Sequence, residues 1–186
     1  TDGFRGEANV DLTVEHAYKV GRYLGWYYSQ NGKAKVVIGK DTRRISYMFE
    51  YALVSGLTAS GADVYLLHVT TTPSVSYVVT SEEFDCGIMI SASHNPYYDN
   101  GIKILDGNGH KMDAGVENLI EQYIDGLIDE LSYATKDEIG CALDYSIGRN
   151  RYIGYLMSIP TRAFRNYRVG LDCANGASSA IAKKCF

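Results

Sequence analysis

The chain has 186 residues, 46% hydrophobic and 22% charged, with a formal net charge of −4. That length allows one full domain, or one domain and part of a second, with a sizeable core. No Lys/Arg run exceeds two residues, which argues against a nucleic-acid partner, and no apolar run approaches membrane-spanning length, which argues against a membrane.

The elements follow in chain order. "TDGFRG" (1–6) reads as a Gly-rich polar loop. Val14, Ala17, Tyr18, Leu24 and Tyr28 recur at the spacing of one helix face, predicting a helix over 13–31 with Thr13 as N-cap and Gly32 just beyond its end. "KVVIG" (35–39) is a short β-branched run expected as a buried strand, and a helix follows over 46–60. "DVYLLHV" (63–69) is a further strand, and Thr72-Pro73 opens a short helix with proline where its missing N–H costs nothing. "CGIMIS" (86–91) and "GIKIL" (101–105) are strands either side of a polar loop, "GNG" (107–109) is a turn, and 114–130 is an amphipathic helix. Residues 132–145 lose periodicity and read as a linker, and a helix is expected over 146–157.

Strands that alternate with helices, and that are apolar nearly throughout, predict an α/β fold: a mixed, mostly parallel sheet sandwiched by helices. "YRVGLDCANGASSAIAKK" then repeats the strand, polar loop, helix pattern of "AKVVIGKDTRRISYMFEYAL", as if a second similar α/β domain were beginning. The expected organisation is therefore a first domain over 1–145 and the start of a second over 146–186. The chain opens inside a polar loop and stops inside a helical pattern without a stop signal, so it is expected to be a fragment of a longer protein.

Cys86, Cys141, Cys173 and Cys185 show no CxxC spacing, which leaves a zinc or thioredoxin-like site unsupported; Cys86 and Cys173 lie in apolar runs and read as small core residues. Free thiols, no N-glycosylation triplet and no signal peptide at the opening fit a cytoplasmic location. The 16 tyrosines are expected at core rims and packed helix faces. No G-x-S-x-G elbow and no P-loop is present, and "GNGHKM" lacks the third glycine of a dinucleotide fingerprint.

Parallel α/β sheets place ligand sites at the carboxyl ends of their strands. This brings "GKDTR" (39–43) and "SASHNP" (91–96) into view. In the first, Asp41 and Arg43 read as a pair that holds its own loop. In the second, Pro96 keeps Asn95 extended and the loop from winding into a helix. A serine at that edge can present its oxygen to a cleft, with His94 beside it and Lys103 on the next strand. Such a cation suits a phosphate, whose roughly −1.5 to −2 charges on a serine demand cations or a metal nearby. The alternative is a plain polar turn, its serines and asparagines bonding their own backbone.

"SASHNPYYDNGIK" resembles the active-site serine motif of the α-D-phosphohexomutase superfamily. "TDGFRG" is similar to that family's N-terminal loop, "GKDTR" to its next signature and "LDCANGA" to the start of its second domain, in the family's order and spanning the chain. Within the superfamily the S-A-S-H-N-P form most resembles the bacterial glucosamine-phosphate branch; the phosphomannomutase/phosphoglucomutase branch, more often T-G-S-H-N-P or T-A-S-H-N-P, is the alternative, as is a non-catalytic phosphate-binding α/β module. The resemblance implies that Ser93 carries a phosphate and donates it to a hexosamine phosphate. Glucosamine 6-phosphate and glucosamine 1-phosphate would then interconvert through glucosamine 1,6-bisphosphate, feeding UDP-N-acetylglucosamine synthesis. It also implies that Lys103 and Arg5 neutralise the transferring group, that His94 assists at the transfer site, and that one Mg²⁺ binds the phosphate on Ser93. The family's D-G-D-G-D-R metal loop, its sugar-recognition loop and its last phosphate-binding loop are missing from this sequence, so these residues alone are expected to be inactive. Oligomeric state is left open.

Overall fold

A computed structural model describes residues 3–186; Thr1 and Asp2 of the N-terminal motif lie outside the described residues. The sheet has six strands: β1 (Phe4–Glu7), β2 (Lys35–Lys40), β3 (Asp63–Val69), β4 (Cys86–Ile90), β5 (Asp99–Asp106) and β6 (Ala142–Asp144), in spatial order β1-β5-β4-β2-β3-β6. β2 runs parallel to β3 and β4, and β3 parallel to β6, while β5 is antiparallel to both β4 and β1. The expected mixed, mostly parallel sheet is what the chain builds.

Helices cover both faces. α1 (Val14–Tyr28), α2 (Ser46–Ala59) and α4 (Ala114–Ile124) bury Val20, Leu24, Phe49, Leu53 and Ile120 against Val36, Ile38, Ile88, Ile90 and Ile102. α3 (Thr72–Ser81) covers the other face, packing Val75, Val78 and Val79 on Val37, Leu67, Met89 and Leu105. Strict alternation along β4 feeds both layers, which is why that strand is apolar throughout. Glycine sets the α1–α2 approach: a Cβ on Gly21 would sit 2.5 Å from the Leu53 carbonyl oxygen, and one on Gly56 2.2 Å from that of Tyr18. α1 begins at Thr13, whose hydroxyl accepts from His16 N at 3.2 Å while His16 Nδ1 accepts from Thr13 N.

Five expectations are corrected. Residues 4–7 are not loop but strand β1, because β5 offers them an edge to pair with. The helix expected to reach 130 stops at Ile124, where Asp125 caps it and Gly126 takes φ +74°. The linker contains β6, too short to show a period, which joins the edge of β3. No strand forms over 167–172: among the described residues no strand pairs with it, and an unpaired strand gains nothing for its backbone groups. Cys173 is half-buried rather than in a core, whereas Cys86 is fully buried and its thiol pKa is pushed up by desolvation. Some tyrosines pack at rims, as in the Tyr77–Tyr155 stack with ring centroids 4.7 Å apart, whereas Tyr51, Tyr97 and Tyr167 are largely exposed.

α5 (Ser146–Ser158) begins after β6 and lies on α3 and β3; α6 (Ser179–Cys185) packs against α5 through Ile181. Polar clamps hold α5 down. Arg151 pairs with Glu82 at the end of α3, and Tyr145 donates to the same carboxylate at 3.0 Å. The Arg151 bond is the main cause holding the Glu82 carboxyl below the usual range, with Tyr145 adding to it. A depressed carboxyl contributes stability above its unfolded value, about pH 4.3, and loses it as pH falls through the lower folded value. Glu82→Gln is therefore expected to cost about 1 kcal/mol at neutral pH, since Arg151 is half exposed, and to flatten the acid limb of a denaturant-unfolding series.

Beneath the carboxyl end of β2, Lys40 Nζ bonds Glu50 of α2 with both side chains only 2% exposed, and Lys40 also lies 4.1 Å from the Tyr47 ring centroid. Removing one partner would strand the other charge in the core. Glu50→Ala is expected to lose about 3–5 kcal/mol in denaturant unfolding, far more than an exposed acid such as Glu83.

Candidate functional site

The carboxyl ends of β2, β3 and β4 face one edge, and two loops meet there: 41–45 after β2 and 91–98 after β4. Asp41 N donates to the Ile90 carbonyl at 3.0 Å, so the loops leave the sheet side by side. Ser91 is buried and serves as an internal acceptor, its hydroxyl taking Ser93 N at 3.1 Å. Ser93 is exposed and sits in the left-handed region at φ +57°. For a residue with a side chain that conformation costs about 1–2 kcal/mol, so the surroundings must impose it. His94 is exposed beside it, Nδ1 3.3 Å from Ser93 Oγ.

Arg43 bonds this loop at two carbonyls. Its Nη2 donates to the Ser93 carbonyl at 3.2 Å and to the Asn95 carbonyl at 2.7 Å, and its Nη1 pairs with Asp41. Asp41 also accepts from Arg43 N at 3.1 Å and from the Ser46 hydroxyl at 2.7 Å. Ser46 in turn accepts from the fully buried Asn100 Nδ2 at 3.0 Å, Asn100 Oδ1 accepts from Gly101 N, and Gly101 O accepts from Ser91 N at 2.8 Å. The bonds form a closed circuit that starts and ends at the serine loop. Farther out, Asn95 Nδ2 donates to Asp99 at 3.0 Å and ties the loop to the start of β5.

The strand register locates the two cations. Arg5 of β1 stands opposite Gly101 of β5, and Lys103 stands opposite Met89 of β4. Residues two apart share a sheet face, so Arg5, Lys103 and Ser91 lie on the α3 side at neighbouring positions. Both cations are half-buried and make interactions within the fold. Thus Ser93 touches His94 and follows Ser91 by two residues, while Arg5 and Lys103 flank that strand end. Asn100 points to the opposite face, toward α2, and is structural in its contacts.

A cleft of about 320 Å³ opens at Ser93, bounded by Arg43 and Asn95 on one side and by Asn175 and Gly176 on the other. Thr42 donates to the Asn175 carbonyl at 3.0 Å, which brings the "DCANGA" turn across the loop after β2. A larger hollow of about 440 Å³ lies between β1, α1 and α4, and Arg5 lines it together with Phe4, His16 and Glu121. Among the described residues no group of three or more His, Cys, Asp or Glu side chains stands together to hold a metal ion. The sequence missed Arg43 as a partner of the serine loop. Its only signal was an Asp-x-Arg just past a strand, and the distance of 50 residues to Ser93 hid the contact.

The fold and this edge together define a three-layer α/β/α domain with a serine loop at the carboxyl end of a central strand. Residues 1–130 match the domain described as "Phosphoglucomutase/phosphomannomutase, alpha/beta/alpha domain I", and the chain belongs to that family. It is 69% identical over 186 residues to a phosphoglucosamine mutase of Lachnoclostridium phytofermentans and 66% identical to one of Lachnospira eligens, covering all of this chain in both cases. The chain spans 42% of the length of each of these relatives. A solved phosphoglucomutase/phosphomannomutase family protein from Burkholderia thailandensis superposes with a TM-score of 0.69 at 24% identity, over 87% of this chain and 36% of that one, which shows a shared fold.

A Cβ on Gly101 would lie 2.9 Å from the Ser91 carbonyl oxygen and 3.0 Å from Arg5 Cγ. Gly101→Ala is therefore expected to displace Arg5 and the serine strand together and to cost about 1–3 kcal/mol. Denaturant unfolding checks the cost, and amide chemical-shift changes centred on Arg5, Ser91 and Ser93 check the displacement.

Proposed function

We propose that this chain is the phosphate-carrying part of a cytoplasmic phosphohexomutase that interconverts glucosamine 6-phosphate and glucosamine 1-phosphate, with Ser93 as the carrier. The observation that carries the reading is the contrast between the two serines. Ser91 is buried with its oxygen committed, whereas Ser93 is exposed at the cleft. The phosphoglucosamine mutases above, at 66–69% identity, support the choice of an amino-sugar substrate.

In the first half-reaction the bond between phosphorus and Ser93 Oγ breaks as a hydroxyl of the hexosamine phosphate forms a new one. The hydroxyl loses its proton and the serine oxygen regains one. The product is glucosamine 1,6-bisphosphate, which reorients and returns its other phosphate to Ser93. Such transfers need positioning and charge neutralisation more than covalent work. Arg5 and Lys103, on neighbouring positions of β1 and β5, supply fixed positive charge. Lys103 also serves as a proton donor or acceptor, and His94 hydrogen-bonds at the transferring oxygen. A bound Mg²⁺ supplies Lewis-acid neutralisation. Among the described residues no group of three or more His, Cys, Asp or Glu would hold it and Asp41 is taken up by Arg43 and Ser46, so the phosphate of Ser93 is what this loop would offer. In this reading 1–145 form the phosphoserine domain and 146–186 begin the second, with α5 as the junction clamped at Glu82.

Phosphopeptide mapping of the full-length enzyme after incubation with glucosamine 1,6-bisphosphate is expected to find phosphate on Ser93. Ser93→Ala is expected to lose activity by about 1000-fold or more. Phosphate on Ser91 instead, or an active Ser93→Ala enzyme, overturns the assignment.

A further inference from the structure

We propose that Arg43 is a positioning residue for phosphoryl transfer: its forked bonds to the carbonyls of Ser93 and Asn95 hold the carrier serine in its left-handed conformation. This inference rests on Ser93 being the carrier.

Three observations support it. A left-handed non-glycine residue at an exposed loop persists only where bonds around it over-determine the backbone. Ser93 has such bonds on both sides: its N–H reaches Ser91 Oγ, and its carbonyl receives Arg43 Nη2. The second carbonyl on Arg43, at Asn95, lies two residues on, so the peptide planes that follow Ser93 and Asn95 are both held by one planar group.

Arg43 is itself anchored rather than mobile. Its side chain is 13% exposed and Asp41, 8% exposed, pairs with the opposite nitrogen. Asp41 is in turn oriented by Ser46, and Ser46 by the buried Asn100. Asn100 lies on β5, three residues before Lys103, and Gly101 closes the path back to Ser91. The same circuit that fixes Ser93 therefore fixes the strand bearing Lys103, so carrier and cation keep a common frame. Arg43 touches backbone carbonyls, not the reacting atoms, and an ammonium at that place could bond one carbonyl but not serve both while pairing with Asp41.

The test uses Arg43→Lys and Arg43→Ala in the full-length enzyme, with hydrogen exchange on the 91–96 amides as a second readout. A misplaced reacting group costs on the order of 100-fold. The expected result is a fall in kcat of about 30–100-fold for both variants, with KM for the sugar phosphate changed by less than about 3-fold. Amides 93–95 are expected to exchange faster while those of β4 and β5 keep their protection. Rescue by lysine, unchanged kcat, or exchange rising evenly across β4 and β5 overturns the proposal, the last because it marks a merely destabilised fold. If Ser93→Ala leaves the enzyme active, the carrier assignment fails. The exchange pattern then still decides whether Arg43 holds this loop.

Discussion

One arginine side chain joins the two loops on which the site is built. Arg43 leaves the loop after β2, yet its bonds end on the loop after β4, at Ser93 and Asn95. The parallel alignment of β2 and β4 makes this possible. It brings both carboxyl ends to one edge, where Asp41 N already meets the Ile90 carbonyl. A polar loop this exposed would otherwise sample many conformations, and a left-handed serine would be among the less populated. The cost of holding it there is offset by bonds whose other ends lie in the core.

The foundation below that edge is unusually polar for a core. Lys40 and Glu50 pair in the layer between β2 and α2, and Asn100 and Ser46 meet between β5 and the first residue of α2. Buried polar groups contribute little net stability, but they penalise any register that leaves them unpaired. A slip of β5 by one residue would carry Asn100 from α2 to the α3 face and leave its amide without Ser46. The polar groups thus fix register at the place where Arg5, Ser91 and Lys103 must share a face.

Much of this was legible in the sequence. The apolar runs of β2 and β4, the periodicity of α1 and α4, and Pro73 at the start of α3 led directly to the elements observed. Ser93, His94, Lys103 and Arg5 stood out by residue type and by the motifs around them. The misses share a physical cause. β1 and β6 are short segments whose strand character comes from a neighbour's edge, and 167–172 has strand composition but pairs with no described strand. Composition records what a segment can pair with, not whether a partner is there.

The sequence by itself determined the layered α/β class and the position of the polar loop at a strand's carboxyl end, because those follow from local periodicity and turn chemistry; the choice of Ser93 within that loop came from the motif's resemblance to a family. Tertiary structure alone decided which serine is exposed, which face Arg5 and Lys103 share, and that Arg43 spans two loops 50 residues apart in sequence. These depend on strand order and register, and strand order is set by packing among segments distant in sequence, which no local pattern encodes.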